Sequence, residues 1–523
     1  MTSNDPPASD DYDRAAERPG EDAAVDAPAV ETESVATAPA DVEPIEFGSR
    51  QGRLIITATV LASGVAFLDS TVVTVALPRI GTDLGAEFSA LQWVLNSYLL
   101  ALGALVLVGG ALGDLLGRRR VFLIGMWGFG VASLLCAVAW SPGALIGARA
   151  LQGVSAAMLT PTSLAILSST FASEHRGRAI GAWSGLSGVT TAIGPFVGGW
   201  LVDAASWRWI FLLNLPLLAG AIIVTRSAVP ADRGAGSGLA RRDVFTRVDL
   251  PGAALTATGL GLVVAALIEV ERLPTWAVLT SVLAGSATLG GFALYERWRT
   301  LPMMPPELFR IRTFSVANLF TVVVYASLTG MGFLISLALQ RGLGYSALAA
   351  GASTIPLTLM LLAFSARVGA LLPRTGARPL LTAGGVLTAL GLLLLSTIDL
   401  DTTYLTGVLP GVLVFAVGLV LLVAPVTTTA LTDVPAARQG VASGVNNAVA
   451  RIAGLLAVAV LPAAAGLSST GATDPGPLLD GVSTALRIAA VSCLVGAVIA
   501  WIGLRPRDCR RTHVTIAASQ SGR

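Results

Sequence analysis

Fourteen long apolar stretches constrain the fold of this chain more than any other feature of its sequence. Each approaches the ~20 residues that an α-helix needs to cross a hydrocarbon layer of about 30 Å. Only 13% of the 523 residues are charged, and the mean hydropathy is +0.74. The sequence therefore predicts an all-α integral membrane protein, with spans at 54–78, 90–112, 121–140, 143–168, 178–202, 209–229, 250–270, 275–295, 314–339, 347–372, 379–398, 404–430, 440–466 and 481–504. The thirteenth run is interrupted by Asn446, Asn447 and Arg451.

Arginine placement predicts how the spans are oriented. With the N-terminus inside the cell, 21 arginines fall in cytoplasmic loops and the C-terminal tail, and four fall outside: Arg79, Arg208, Arg272 and Arg341. Basic loops stay on the cytoplasmic side during insertion, so both termini are predicted to be cytoplasmic. All 34 basic residues are arginine, a bias that points to a GC-rich bacterial genome and hence to a bacterial plasma membrane.

The composition excludes several classes of chemistry. A chain without lysine has no P-loop lysine and no Schiff-base nucleophile. Its three cysteines, Cys136, Cys493 and Cys509, form no CxxC pair, and its two histidines lie outside the spans. No metal site and no cofactor are therefore expected, and with no histidine, paired carboxylates or metal ligands in the spans the chain is not expected to be an enzyme.

An internal repeat divides the chain. The segment 369–378 aligns without gaps on 110–119, at an offset of 259 residues; one copy follows span 2 and the other follows span 10. Duplicated halves are common in transporters. The predicted organisation is an N-terminal six-helix half at 51–230, a linker with two extra peripheral helices at 231–300, and a C-terminal six-helix half at 301–505.

Short tails flank this membrane body. Thirteen of the 32 acidic residues lie in the first 50 positions, a composition typical of disorder. The segment 1–50 is therefore predicted to be a disordered acidic cytoplasmic tail, and 506–523 a second cytoplasmic tail. Without the first tail, 31 arginines face 19 acidic residues, so the membrane body is basic.

Five motifs occur in order along the N-terminal half: 67–79 in span 1, 110–120 after span 2, 148–153 in span 4, 188–199 in span 5 and 207–216 before span 6. Together they resemble the major facilitator superfamily, in particular its fourteen-span drug/proton antiporter branch. The resemblance implies two six-helix halves around a central cavity, alternating access, and export of amphipathic small molecules such as drugs or antibiotics in exchange for protons. The proton gradient would drive transport without a cofactor.

Asp69 is an acidic residue well inside a span, and Arg149 of span 4 is predicted to lie at a similar depth. A carboxylate inside the membrane is costly and usually functional. The low dielectric favours its neutral form, whereas a nearby guanidinium favours the charged form. The pair is therefore interpreted as a proton-coupling site, and the alternative is a static ion pair that fixes helix packing.

Two further motifs have a functional and a structural interpretation. Span 5 carries Gly188, Gly194, Pro195, Gly198 and Gly199, which permit a bend and close helix contact; the resemblance makes them an antiporter motif, and ordinary packing is the alternative. The loop after span 2 carries a gating motif of Gly110, Asp114, Gly117, Arg118 and Arg119. The resemblance makes Asp114 a cytoplasmic latch, whereas an exposed pair with its own neighbours would contribute under ~1 kcal/mol. The second copy has Pro373 in place of this acid.

The central cavity is expected to bind the substrate. Its candidate contacts are polar or aromatic residues of the spans, each equally suited to a hydrogen bond between helices: Asn96, Tyr98, Asn318, Tyr325, Gln340 and Asn446. Because no second acid lies in the C-terminal spans, dications are disfavoured, and monocations, zwitterions and neutral amphiphiles remain open.

The expected partners are an amphipathic small molecule, protons and the lipid bilayer, with no nucleic acid, and the chain is expected to be a monomer. Two alternatives to multidrug export stay open. One is a dedicated exporter of a single endogenous metabolite or lipid. The other is a transport-inactive membrane sensor or scaffold that depends on the acidic tail.

Overall fold

The computed structural model describes residues 45–231, 248–299, 302–435, 438–467 and 474–504. Arg233, Arg241, Arg242 and Arg247, most of the acidic tail and the whole C-terminal tail lie outside the described residues. Within the described ranges, fourteen helices are long and apolar enough to cross a membrane. The predicted all-α membrane fold and its number of spans are confirmed.

The helices extend beyond most of the apolar runs. The first six are α1 Arg50–Leu84, α2 Phe88–Leu116, α3 Arg118–Ala137, α4 Pro142–Thr170, α5 Glu174–Ala204 and α6 Trp209–Ala228. Two inserted helices follow, α7 Leu250–Ile268 and α8 Thr275–Trp298. The last six are α9 Arg312–Gly342, α10 Ala347–Thr375, α11 Ala377–Leu395, α12 Tyr404–Leu431, α13 Gln439–Ala464 and α14 Pro475–Gly503.

The start of α1 corrects the predicted limit of the acidic tail. Ser49 caps the helix, since its hydroxyl accepts the Gly52 N–H at 2.9 Å. Just before it, the Ile45 N–H donates to the Thr170 carbonyl at the end of α4, at 3.1 Å. Residues 45–50 are therefore held against the helical body, because this short segment has backbone partners that composition does not reveal.

Four turn glycines support the duplication. Gly117 and Gly376 have φ values of 96° and 80°, and Gly85 and Gly344 have values of 59° and 69°. Residues with a Cβ rarely adopt positive φ. Each pair is separated by the offset of 259 residues found in the repeat, so the chain reverses in the same way at matching points of the two halves.

The two halves meet along two seams. One is the α5–α10 seam and the other is the α2–α13 seam, and α1 also touches α9. The basic end of each helix is defined as the end on the side of Arg118, Arg119 and Arg120, and the distal end is the opposite one.

The α5–α10 seam is closed at its distal end and open towards its basic end. Asp203 of α5 accepts the N–H groups of Ala347 and Leu348 at 3.2 and 2.8 Å. In contrast, a Cβ built at Gly181 or Gly188 would meet no atom within 4 Å. The distal ends of the two halves are therefore joined, while the face of α5 that carries Gly181 and Gly188 is open nearer the basic end.

The inserted helices are not both peripheral, which corrects the prediction. Helix α7 packs against α2 and α13, one from each half, and its Leu260 and Val264 are buried there. At its distal end Glu269 accepts the Trp93 indole N–H at 3.2 Å. Helix α8 packs mainly on α7, where Gly259 and Gly285 allow close approach. Only α8 is peripheral.

Candidate functional site

Asp69 of α1 and Arg149 of α4 form an ion pair in the interior of the N-terminal half. Both side chains are 1% exposed. The Arg149 Nε also donates to the Val94 carbonyl of α2 at 3.2 Å, and its guanidinium carbon lies 4.3 Å from the centre of the Tyr98 ring. The cation is thus fixed by an acid, a carbonyl and an aromatic face.

Three uncharged side chains complete the site. Gln152 donates to Asp69 Oδ1 at 3.2 Å and accepts from Arg149 at 2.7 Å. Asn214 of α6 donates to the same carboxylate oxygen at 3.0 Å. The Ser133 hydroxyl of α3 accepts from Gln152 and Asn214 at 2.8 and 3.2 Å. We call Asp69, Arg149, Gln152, Asn214 and Ser133 the buried network.

The network joins four helices around one negative charge. Desolvated charges are tolerated when they are paired and their remaining hydrogen-bonding groups are satisfied. Asp69 meets this condition in its ionised form, since each of its oxygens accepts from a donor. A proton on Asp69 would remove the charge that holds Arg149. The arrangement can therefore convert binding of a proton into a rearrangement of several helices.

The glycines of α5 bring the next helix against this site. A Cβ at Gly194 would lie 2.1 Å from the Thr71 Oγ1, and one at Gly198 would lie 2.7 Å from a Val72 methyl group. Both contacts are on the turn of α1 that follows Asp69. Close packing on α1 therefore requires glycine at these two positions.

The same motif also reaches the C-terminal half. A Cβ at Gly199 would lie 2.4 Å from the Ala347 carbonyl oxygen, and one at Gly351 would lie 2.1 Å from the Pro195 carbonyl oxygen. Gly188, by contrast, faces open space. Four of the five motif residues thus connect α1, α5 and the start of α10.

The loop motif lies at the basic end of the N-terminal half. Gly117 makes the turn between α2 and α3, and Gly110 packs near Pro161. Asp114 pairs with Arg118 at 3.1 Å in an exposed position, and Arg119 donates to the Arg226 carbonyl of α6 at 2.8 Å. These contacts stay within one half of the protein.

Four of the six candidate substrate contacts have partners between helices. The Tyr98 hydroxyl donates to the Ala66 carbonyl at 3.1 Å. Asn446 donates to Asn318 at 3.1 Å, and Gln340 donates across the distal contact of the halves to Val75 at 2.9 Å. Their geometry favours the packing interpretation.

The other two candidates differ. Tyr325 is half-buried. Asn96 is fully buried, and among the residues that the structure describes neither its Oδ1 nor its Nδ2 has a hydrogen-bond partner. It lies four residues after Gln92 and seven before Gly103, both of which contact α13, so at helical periodicity it faces the α2–α13 seam.

A second acidic cluster corrects the expectation that the spans hold no paired carboxylates. Glu296 of α8 and Asp249, which caps α7, are both buried, and they lie close enough to interact electrostatically. Asp249 also accepts from Arg299 at 2.5 Å and Tyr295 at 3.3 Å. The prediction missed the pair because α8 continues three residues beyond its apolar run, to Trp298. The cluster joins the basic ends of α7 and α8.

Residues 59–458 match the family model of the Major Facilitator Superfamily. The chain is 35% identical to a puromycin resistance protein of Streptomyces alboniger, over 87% of this chain and 90% of that protein. It is also 35% identical to a cephamycin export protein of Amycolatopsis lactamdurans, covering 85% and 91%. A multidrug resistance protein of Mycobacterium tuberculosis is 36% identical, covering 81% and 78%.

A solved bacterial homologue of the human drug peptide transporters PepT1 and PepT2 shares the fold. It superposes with a TM-score of 0.64 at 16% identity, covering 87% of this chain and 98% of that one. The chain therefore belongs to the major facilitator superfamily. It is a multi-pass transporter of the bacterial membrane and not an enzyme.

Proposed function

We propose that this protein exports amphipathic small molecules, such as antibiotics or other drugs, in exchange for protons. The relatives named for puromycin, cephamycin and multidrug resistance or export support the substrate class. The observation that carries the proton coupling is the buried Asp69–Arg149 pair, whose charge balance depends on one titratable carboxyl group.

The proposed cycle follows from the packing of α1. A proton on Asp69 frees Arg149, Gln152 and Asn214 from the carboxylate, so α1 can move relative to α4 and α6. Because α5 is packed on the next turn of α1 through Gly194, this movement reaches the distal contacts between α5 and α10. Substrate binding and proton binding would then favour opposite states of the distal seam.

The orientation is part of the proposal. With the basic end in the cytoplasm, as the arginines predict, the distal contacts close the outer side and the open part of the α5–α10 seam faces inwards. The structure then corresponds to an inward-facing state, in which a molecule from the cytoplasm or the inner leaflet can enter.

The test uses proteoliposomes that contain the purified protein and an imposed pH gradient. Wild-type protein should drive uptake of a fluorescent amphipathic substrate, an uncoupler should abolish it, and addition of ATP should have no effect. Asp69→Asn should abolish gradient-driven uptake because its side chain cannot exchange a proton. Asp480→Asn is the matched control, since Asp480 is exposed near the start of α14. Gradient-driven uptake by Asp69→Asn would contradict the proposal.

The two alternatives predict different results. A dedicated exporter would transport one compound of a chemically varied panel and ignore the rest. A sensor or scaffold would transport none, would be unaffected by Asp69→Asn, and would lose its cellular effect when residues 1–44 are deleted.

A further inference from the structure

Arg451 is a cation at the middle of the membrane-spanning helix α13. It lies 12 residues from Gln439 and 13 from Ala464, or roughly 18–20 Å from either end at 1.5 Å per residue. A Cβ added at Gly103 of α2 would lie 3.6 Å from the Arg451 Cβ. The Arg451 side chain therefore leaves α13 at the α2–α13 seam. Its guanidinium carbon is 5.2 Å from the centre of the Phe67 ring of α1.

Within the described ranges, the guanidinium of Arg451 has no hydrogen bond and no ion pair, and it lies against the Phe67 ring. Arg149 differs, because Asp69 neutralises it. Asp69 is already neutralised by Arg149, and both its oxygens accept from the buried network. An unpaired arginine at this depth is costly and marks a path for water, ions or substrate.

The groups around Arg451 suit a flat molecule with a negatively charged substituent. A guanidinium offers a planar set of donors that matches a carboxylate, sulfonate or phosphate. Phe67 supplies an aromatic face, and Tyr325 of α9 lies within electrostatic range of the cation. The unpartnered amide of Asn96 is on the same face of α2 as Gly103, about 10 Å away along the helix axis.

We infer that Arg451 binds an anionic or zwitterionic group of the transported molecule, with the aromatic body of that molecule against Phe67 and Tyr325. The inference rests on the proposed export function and narrows its substrate class. The charged groups of Asp69, Arg149 and Arg451, which all lie at α1, together carry a charge of +1. A simple monocation would be repelled from this region, whereas an acidic or zwitterionic aromatic molecule would be attracted.

Two dyes with the same xanthene rings test this inference by direct binding. Fluorescein is anionic, and a rhodamine ester is cationic. Fluorescence titration of the purified full-length protein in detergent should give a lower Kd for fluorescein than for the rhodamine ester. Arg451→Gln should raise the fluorescein Kd about tenfold or more, as expected for loss of a charge-assisted hydrogen bond, and should leave the rhodamine Kd unchanged or lower. Arg451→Lys should give an intermediate fluorescein Kd.

Arg487→Gln is the matched control, because Arg487 lies 12 residues into α14, is exposed, and is on a helix that packs against the C-terminal half. It should leave both Kd values unchanged. Equal weakening of both dyes by Arg451→Gln would assign the residue a structural role and overturn the inference, as would a wild-type protein that does not prefer fluorescein. These titrations need no gradient, so they test the inference independently of transport. If Arg451→Gln loses fluorescein binding but wild-type protein shows no gradient-driven uptake, the proposed function is contradicted and the binding inference is not.

Discussion

Both oxygens of the Asp69 carboxylate are engaged by side-chain donors from α4 and α6. The ionised carboxylate is therefore held by two uncharged side chains, Gln152 and Asn214, as well as by Arg149. Either uncharged partner can be replaced without changing the charge of the site.

Asn214→Ala tests this point. Removing one hydrogen bond to a charged group costs about 1.5 kcal/mol or more. Since the lost donor connects α6 to the Asp69 carboxylate, gradient-driven transport should slow markedly. The measurement is the initial uptake rate of proteoliposomes, with the melting temperature measured on the same preparation. A lower melting temperature with an unchanged uptake rate would show that Asn214 only supports packing.

The sequence identified some residues of this site and missed others for a physical reason. Asp69 is a charge within an apolar run and Arg149 was carried by a motif, so both stood out locally. Gln152 and Asn214 lie inside the quoted motifs 148–153 and 207–216, but uncharged polar residues are frequent in spans and their partners depend on how helices pack. Arg451 was noticed only as an interruption of its run, because nothing in a sequence shows whether a cation has a counter-ion.

At the scale of the element, α5 links the buried network to the start of α10 in the other half. Its four packed motif residues contact α1 on one side and the start of α10 on the other. The packing is within van der Waals distance of backbone atoms, which cannot move aside as a flexible side chain can. Added volume at this crossing should therefore act on the seam itself.

Gly199→Ala should weaken the distal closure, because the new Cβ would lie 2.4 Å from the Ala347 carbonyl oxygen. Overpacking of this kind typically costs about 1–3 kcal/mol. We expect a marked loss of transport and greater reactivity of a cysteine placed at Leu348 towards a membrane-impermeant maleimide. Gly188→Ala, in the same motif but facing open space, should retain wild-type behaviour; equal effects of the two substitutions would refute the packing argument.

The cluster at the basic ends of α7 and α8 is a separate structural unit. Asp249 caps α7 and accepts from Tyr295 and Arg299, so its removal breaks a buried ion pair. Such losses usually cost about 3–5 kcal/mol. Asp249→Ala should lower the melting temperature of the detergent-solubilised protein, whereas Asp401→Ala, at an exposed position between α11 and α12, should not. Unchanged melting of Asp249→Ala would show that the hairpin does not depend on this cap.

For the whole molecule, the sequence predicted the number of helices and the two halves, but not the position of α7. Hydrophobic length is a local property, so the count of fourteen helices could be read directly, and the copied loop at 369–378 located the two halves. The faces that α7 presents to α2 and α13 are as apolar as those that face lipid, and periodicity therefore gave no sign that this helix lies across both halves. Its position emerges only from packing.

The closed distal end and open basic end predict a cross-linking pattern, best tested in a Cys509→Ser background. Asp203→Cys with Leu348→Cys should form a disulfide, since the native side chain and backbone N–H are 2.8 Å apart. The link should stop transport, and a reductant should restore it. Gly181→Cys with Ser365→Cys, at matching levels of the antiparallel α5 and α10, should stay unlinked in the resting protein. The reverse pattern would mean that the resting protein occupies the opposite state.

The position of α7 makes the two flanks of the transporter unequal towards the bilayer. On the α2–α13 flank a further membrane helix lies between lipid and the seam, whereas the basic end of α5 on the opposite flank has open space beside Gly181 and Gly188. If the basic end is cytoplasmic, as proposed, the part of the chain that the structure describes leaves the α5 flank open to a compound dissolved in the inner leaflet. Under the proposed export function, hydrophobic antibiotics that partition into lipid would enter sideways along this flank, without first returning to water.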